Sequence, residues 1–224
     1  AEPGDKLGEV ADGDFEAGNY QLMNYTNGQL VIGSLYDTEG TGEGYFTGSN
    51  TGPTTYPHLF FYDTSLTEAD DDRYLEDESN IPSGGSIIFN DNKWHLVTAD
   101  KLGNPMDPGK LYAYQWDADW SYLGKTELAS DGQWSQGLLY DNGRYYVAYH
   151  TGPHTNGNVS LAVFDTDWNP LTEIALTTYT GDFNAQRPWM IKVGDKIYVS
   201  YDVGTAGDEL KDWQATIAVV SVVA

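Results

Sequence analysis

Ser135–Leu171 reads SQGLLYDNGRYYVAYHTGPHTNGNVSLAVFDTDWNPL. Leu138–Tyr140 is a short apolar strand. Asp141-Asn142-Gly143 follows as a hairpin turn, because Asn and Gly accept the positive φ that two-residue turns need. Tyr145–Tyr149 and Val159–Phe164 alternate like strands two and three. Asp165-Thr166-Asp167-Trp168-Asn169-Pro170 turns the chain again, and a fourth strand begins near Leu171. The stretch is one complete antiparallel unit.

The unit recurs. Tyr20–Leu35, Gly84–Ala99, Ser135–His150 and Arg187–Asp202 share the pattern of apolar patch, turn and alternating apolar run. Their turns are Asn27-Gly28, Asp91-Asn92, Asn142-Gly143 and Gly194-Asp195. With Leu30, Trp94, Tyr145 and Ile197 as anchors, the spacings are 64, 51 and 52 residues, and 57 on wrapping through the termini. Such even spacing predicts a closed ring of four units. Third strands are expected at His58–Tyr62, Lys110–Trp116, Val159–Phe164 and Thr216–Val223. Outer strands are expected near Asp72–Leu75 and at Leu123–Leu128 and Leu171–Leu176. The last unit lacks an outer strand. Lys6–Val10 resembles Tyr122–Thr126 and is expected to supply it. One helical turn is expected at Asp208–Asp212.

Four-stranded sheets repeated radially resemble the blades of β-propellers. The resemblance implies one all-β domain, a four-bladed propeller closed by its N-terminal strand. The blades would run approximately 14–77, 78–130, 131–181 and 182–224 plus 5–12. Asp117-Ala118-Asp119-Trp120 and Asp165-Thr166-Asp167-Trp168 read as turns in which Asp caps and Trp covers the blade's apolar edge. They are similar to turns of the arabinanase and xylosidase kind of propeller glycosidase. In those families, which have five blades, the resemblance implies three carboxylates around the axis.

Composition excludes several classes. Asp and Glu number 34 against 11 Lys and Arg, a net charge of −23. That surface repels nucleic acid. No apolar run of 18 residues exists to span a membrane. There is no Cys, hence no disulfide and no thiol chemistry. The plain reading of the acidity is solubility in a salty medium. The sharper one is calcium binding by clustered carboxylates: Asp70-Asp71-Asp72 offers oxygens at close intervals, although no Asp-x-Asp-x-Asp-Gly pattern follows, and no cofactor is required. The composition leans toward a secreted or cell-surface protein.

Candidate ligand-binding residues lie where the strands meet one mouth of the ring. They are Tyr20, Gln136, His150, Gln186, Arg187, Trp189 and Asp202. Side-chain amides and a lone Arg suit hydroxyl or carboxylate recognition. His150 and Asp202 occupy equivalent positions and would form an acid/base pair if both faced the axis. His150 and His154 flank Thr-Gly-Pro without further metal ligands. Asn24-Tyr25-Thr26 and Asn158-Val159-Ser160 match the glycan-acceptor triplet.

The first-ranked expectation is a non-catalytic extracellular propeller binding a glycan or other small ligand. The alternative is a glycoside hydrolase-like enzyme with Asp37, Asp100 and Asp202 as axial carboxylates. The third reading is a self-assembling surface or filament subunit, joined through the apolar C-terminal strand.

Overall fold

The structure is a computed structural model; it describes residues 22–37, 55–65, 68–75, 85–99, 109–153, 156–181, 183–205 and 213–222. These residues form fifteen strands in four antiparallel sheets, with no helix among them. The first sheet holds β1 (Leu22–Thr26), β2 (Gln29–Asp37), β3 (Thr55–Tyr62) and β4 (Glu68–Tyr74) in that order. The second holds β5 (Ser86–Asn90), β6 (Lys93–Ala99), β7 (Leu111–Asp117) and β8 (Tyr122–Ala129). The third holds β9 (Gly132–Asp141), β10 (Arg144–Thr151), β11 (Asn158–Phe164) and β12 (Pro170–Ala175). The fourth holds β13 (Phe183–Val193), β14 (Lys196–Thr205) and β15 (Gln214–Ser221). Each sheet is a meander of neighbours in sequence. The repeat read from the sequence is therefore the repeat of sheets.

The turns set the register. Asn27 and Gly28, Asp91 and Asn92, and Asn142 and Gly143 all have φ between 50° and 75°. Two successive positive φ values give the twist that matches flanking strands. Tyr145 then pairs with Tyr140 on one side and Phe164 on the other. The Asp-x-Asp-Trp turns behave as read. The Asp117 carboxylate accepts the N–H groups of Asp119 (3.0 Å) and Ser121 (2.8 Å). Asp165 accepts those of Asp167 and Asn169, both at 2.9 Å. Trp120 and Trp168 follow at positive φ and fold back over the sheet edge. Trp120 stacks on Trp94 at 4.6 Å, and Trp168 on Tyr145 at 4.1 Å.

The sheets pack face to face in sequence order. Val31, Leu59 and Phe61 of the first meet Ile87, Leu96 and Tyr114 of the second. Val97 and Ala113 of the second meet Leu138, Tyr145 and Val147 of the third. Tyr146 and Leu161 of the third meet Ile197 and Val199 of the fourth. The innermost strands β1, β5, β9 and β13 are neighbours in that order. This all-β stack fits a propeller. Ring closure is not formed among the described residues. The expected N-terminal strand, 5–12, and the helical turn at 208–212 lie outside them.

Both glycan-acceptor triplets are engaged inside the fold. Asn24 Nδ2 donates to the Ile87 carbonyl across the first two sheets (2.9 Å). Asn158 Oδ1 accepts from Thr177 Oγ1 (2.9 Å) and the Tyr179 N–H (2.7 Å), and its Nδ2 donates to the Tyr179 carbonyl (3.1 Å).

Candidate functional site

The polar groups converge where β13 crosses β14, beside the end of β10. Asn184 opens the cluster. Its Oδ1 accepts the Gly157 N–H at 2.9 Å and lies 3.2 Å from His150 Nε2. An amide oxygen only accepts, so Nε2 is assigned the proton and His150 donates there. A Cβ on Gly157 would overlap the His150 ring, so only glycine lets this loop approach. His150 is fully buried. It braces the third sheet against the fourth.

Two residues on, Gln186 pairs across the ladder with Asp202 and is 1% exposed. The ladder then slips before Trp189 pairs with Ser200. Arg187 and Pro188 form that bulge. Arg187 sits at φ 56°, directly before a proline. A bulky residue in the left-handed region is strained, and a following proline disfavours helical backbone further. The strain is on the order of 1–3 kcal/mol. It turns the guanidinium toward Asp202, where Nη1 lies 4.0 Å from Oδ2. At that distance the pair attracts without a direct hydrogen bond. Gln186 Oε1 and Arg187 Nε are both buried with no hydrogen-bond partner.

An open cleft of about 320 Å³ lies against this pair. Arg187, Trp189, Ser200, Tyr201, Asp202 and Ala215 line it. The volume is at the small end of ligand sites. The lining offers a cation, a carboxylate, a hydroxyl and an indole face. Such a set can hold a vicinal diol: the carboxylate accepts one hydroxyl proton, the guanidinium donates to an oxygen, and the indole covers the ring.

Of the residues expected from sequence, Gln186, Arg187, Trp189 and Asp202 meet here. His150 does not. Its expected pairing with Asp202 is absent because Asn184 takes its Nε2 while Asp202 faces Arg187. Gln136 lies on β9. Tyr20, His154 and Asp100 lie outside the described residues, and Asp37 ends β2. Sequence reasoning missed Asn184, Gly157 and Ser200. Asn184 had a signal, since it stands two residues before Gln186 in the same strand. No group of three or more His, Asp or Glu that could hold a metal occurs among the described residues, and the acidic 76–82 stretch lies outside them.

No family model matches this chain. No curated protein matches it either. Solved structures do. A xylan β-1,4-xylosidase from Bacillus halodurans is 16% identical with a TM-score of 0.61, covering 95% of this chain and 44% of its own. An α-L-arabinofuranosidase from Lactobacillus brevis is 11% identical with a TM-score of 0.60, covering 89% of this chain and 71% of its own. A β-fructofuranosidase from Bombyx mori is 12% identical with a TM-score of 0.53, covering 91% of this chain and 46% of its own. This chain thus spans less than half the length of the xylosidase and the fructofuranosidase. At these identities the likeness shows the fold alone. It corrects the first-ranked expectation nonetheless. Glycosidases recur among the similar solved structures, beside a neuraminidase-like protein from a bat influenza virus, so the first-ranked reading of a non-catalytic binder is set aside and its alternative is taken up as a proposal below.

Proposed function

We propose that the protein is a propeller-type glycoside hydrolase-like enzyme acting on a glycan outside the cell. The observation that carries the reading is the Arg187–Asp202 pair, held in an open cleft by a strained bulge. Asp202 is the carboxylate that faces the sugar. Arg187 orients it and donates to a sugar oxygen. Trp189 supplies the stacking face. Glycosidases act through two carboxyl groups flanking the scissile bond. Asp37 and Asp100 are the partners the sequence offers for Asp202. The extracellular site of action is an expectation from the acidic composition. The N-terminal residues 5–12 would add the fourth strand to the last sheet.

The test is hydrolysis of nitrophenyl β-xyloside, nitrophenyl α-L-arabinofuranoside and sucrose, three substrates suggested by the similar structures. Turnover of at least one is expected. Asp202→Asn should lower kcat by roughly a hundredfold or more, the scale of a lost acid or base. Its thermal unfolding should stay near that of the wild type. No turnover of any of the three, or full activity in Asp202→Asn, overturns the reading.

A further inference from the structure

Three buried polar atoms of the fourth sheet have no hydrogen-bond partner among the described residues: Gln186 Oε1, Arg187 Nε and Trp213 Nε1. Register brings them together. Residues paired across a ladder share a face, and so do residues two apart in a strand. Gln186 pairs with Asp202, which pairs with Ala215. Asn184 pairs with Gly204 on the next rung of that face. Trp213 completes this rung. It directly precedes Gln214, the partner of Val203, and a Cβ on Gly204 would overlap its ring. Arg187 leaves the bulge on the same side, since its Nη1 lies 4.0 Å from Asp202 Oδ2. Neighbouring rungs of one face are about 7 Å apart. Asn184 Oδ1 is already committed to Gly157 and His150. Buried polar atoms in a native fold have partners, and each exception calls for one.

We propose that Gln186 Oε1, Arg187 Nε and Trp213 Nε1 hold one hydroxyl group at the inner end of the Arg187–Asp202 cleft. The atoms themselves select that chemistry. The amide oxygen only accepts and the two N–H groups only donate, whereas a hydroxyl does both. An anion would satisfy the N–H groups but lie against Gln186 Oε1 and the Asp202 carboxylate. An ammonium would satisfy Gln186 but lie against the guanidinium. Arg187 and Asp202 also offset each other's charge, so nothing here draws in an ion. The hydroxyl has two sources. A water suits a buried site with about three polar partners. A sugar hydroxyl is the other source, because Arg187, Asp202 and Ala215 also line the cleft. The sugar source rests on the glycosidase reading above; the water source does not.

Two measurements test the site. Gln186→Met keeps the length of the side chain and removes its oxygen. With a hydroxyl bound, the melting temperature should fall by roughly 2–6 °C, the scale of one lost buried hydrogen bond in a domain this size. An oxygen with no partner gives the opposite sign, because its removal ends a desolvation cost. The indole N–H signal of Trp213 in NMR, assigned by its loss in Trp213→Phe, reads the donor side. Its proton should show cross-relaxation with water. Xylose is then added. Loss of the water signal together with a shift of the indole signal assigns the hydroxyl to the sugar. A water signal that persists assigns it to water and keeps the site even where no glycoside is hydrolysed. A Gln186→Met variant melting at or above the wild type overturns the proposal. So does an indole proton that neither senses water nor shifts with xylose.

Discussion

His95 shows how one buried residue ties stability to pH. It lies between the second and third sheets, 1% exposed. Gln115 Nε2 is 3.2 Å from Nδ1, and Tyr145 Oη is 3.1 Å from Nε2. An amide nitrogen only donates, so Nδ1 accepts and the ring is neutral. Burial pushes its pKa from 6.5 down to about 4. The native state thus binds fewer protons than the unfolded chain between those values. Stability is complete above pH 6.5 and is lost as pH falls toward 4, by up to roughly 3 kcal/mol. Denaturant unfolding at pH 7 and pH 5 checks this. His95→Gln should start less stable and lose less between the two. An unchanged slope would place the acid sensitivity elsewhere. The sequence shows His95 and His150 alike, each inside an apolar alternating strand. Whether such a ring faces solvent or a neighbouring sheet depends on packing between sheets far apart in the chain. For that reason His150 reads as a mouth residue in the sequence and is a brace in the structure.

Turns are local, and at the scale of elements they were the most legible feature. Positive φ falls at Asn27, Asp91, Asn142 and Gly194, the turn positions the sequence marks. The outer strands of the second and third sheets were also placed, while β4, expected only near Asp72–Leu75, starts earlier and runs Glu68–Tyr74 through mostly charged residues that read as an acidic loop. That strand is legible through the repeat and not through its own pattern. The bulge at Arg187 and Pro188 was not legible as geometry, although Gln186-Arg187-Pro188-Trp189 stood out as a run. A bulge depends on which residue of β14 it opposes, and that register is set by the turn at Gly194. Gly157 belongs to this scale too. It admits the His150 ring and donates to Asn184, so it fastens the β10–β11 loop to β13. Gly157→Ala forces the ring or the loop to move. A loss on the order of 1–3 kcal/mol is expected from overpacking. Comparing Gly143→Ala isolates the effect. Nothing lies near a Cβ at Gly143, so its cost is the positive φ alone. Thermal melts should show the loss, and hydrogen exchange should be faster at the residue 157 amide as the Asn184 contact loosens.

At the scale of the whole molecule, the net charge of −23 opposes the compact state. The repeat made the sheet count readable from sequence, because each unit carries its own turn and alternation. The even spacing predicts that the first and last sheets meet, but no local pattern encodes contacts between the ends of a stack, and closure is not formed among the described residues. Charge acts on that stack as a whole. Added salt screens exposed charges beyond about 8 Å at physiological ionic strength. The melting temperature should therefore rise with sodium chloride, by roughly 2–4 °C for each kcal/mol of repulsion removed in a domain this size. Calcium separates diffuse screening from a built site. The 67–82 stretch is dense in carboxylates, and calcium takes six to eight oxygen ligands. Under diffuse screening, calcium chloride at matched ionic strength gives the same rise as sodium chloride, and titration shows no saturation. That is the expected result where the carboxylates act only as a solubilising coat. A larger rise that saturates at low calcium would instead assign the ion to the acidic stretch. It would also make the charge excess a ligand set and not merely a solubilising coat.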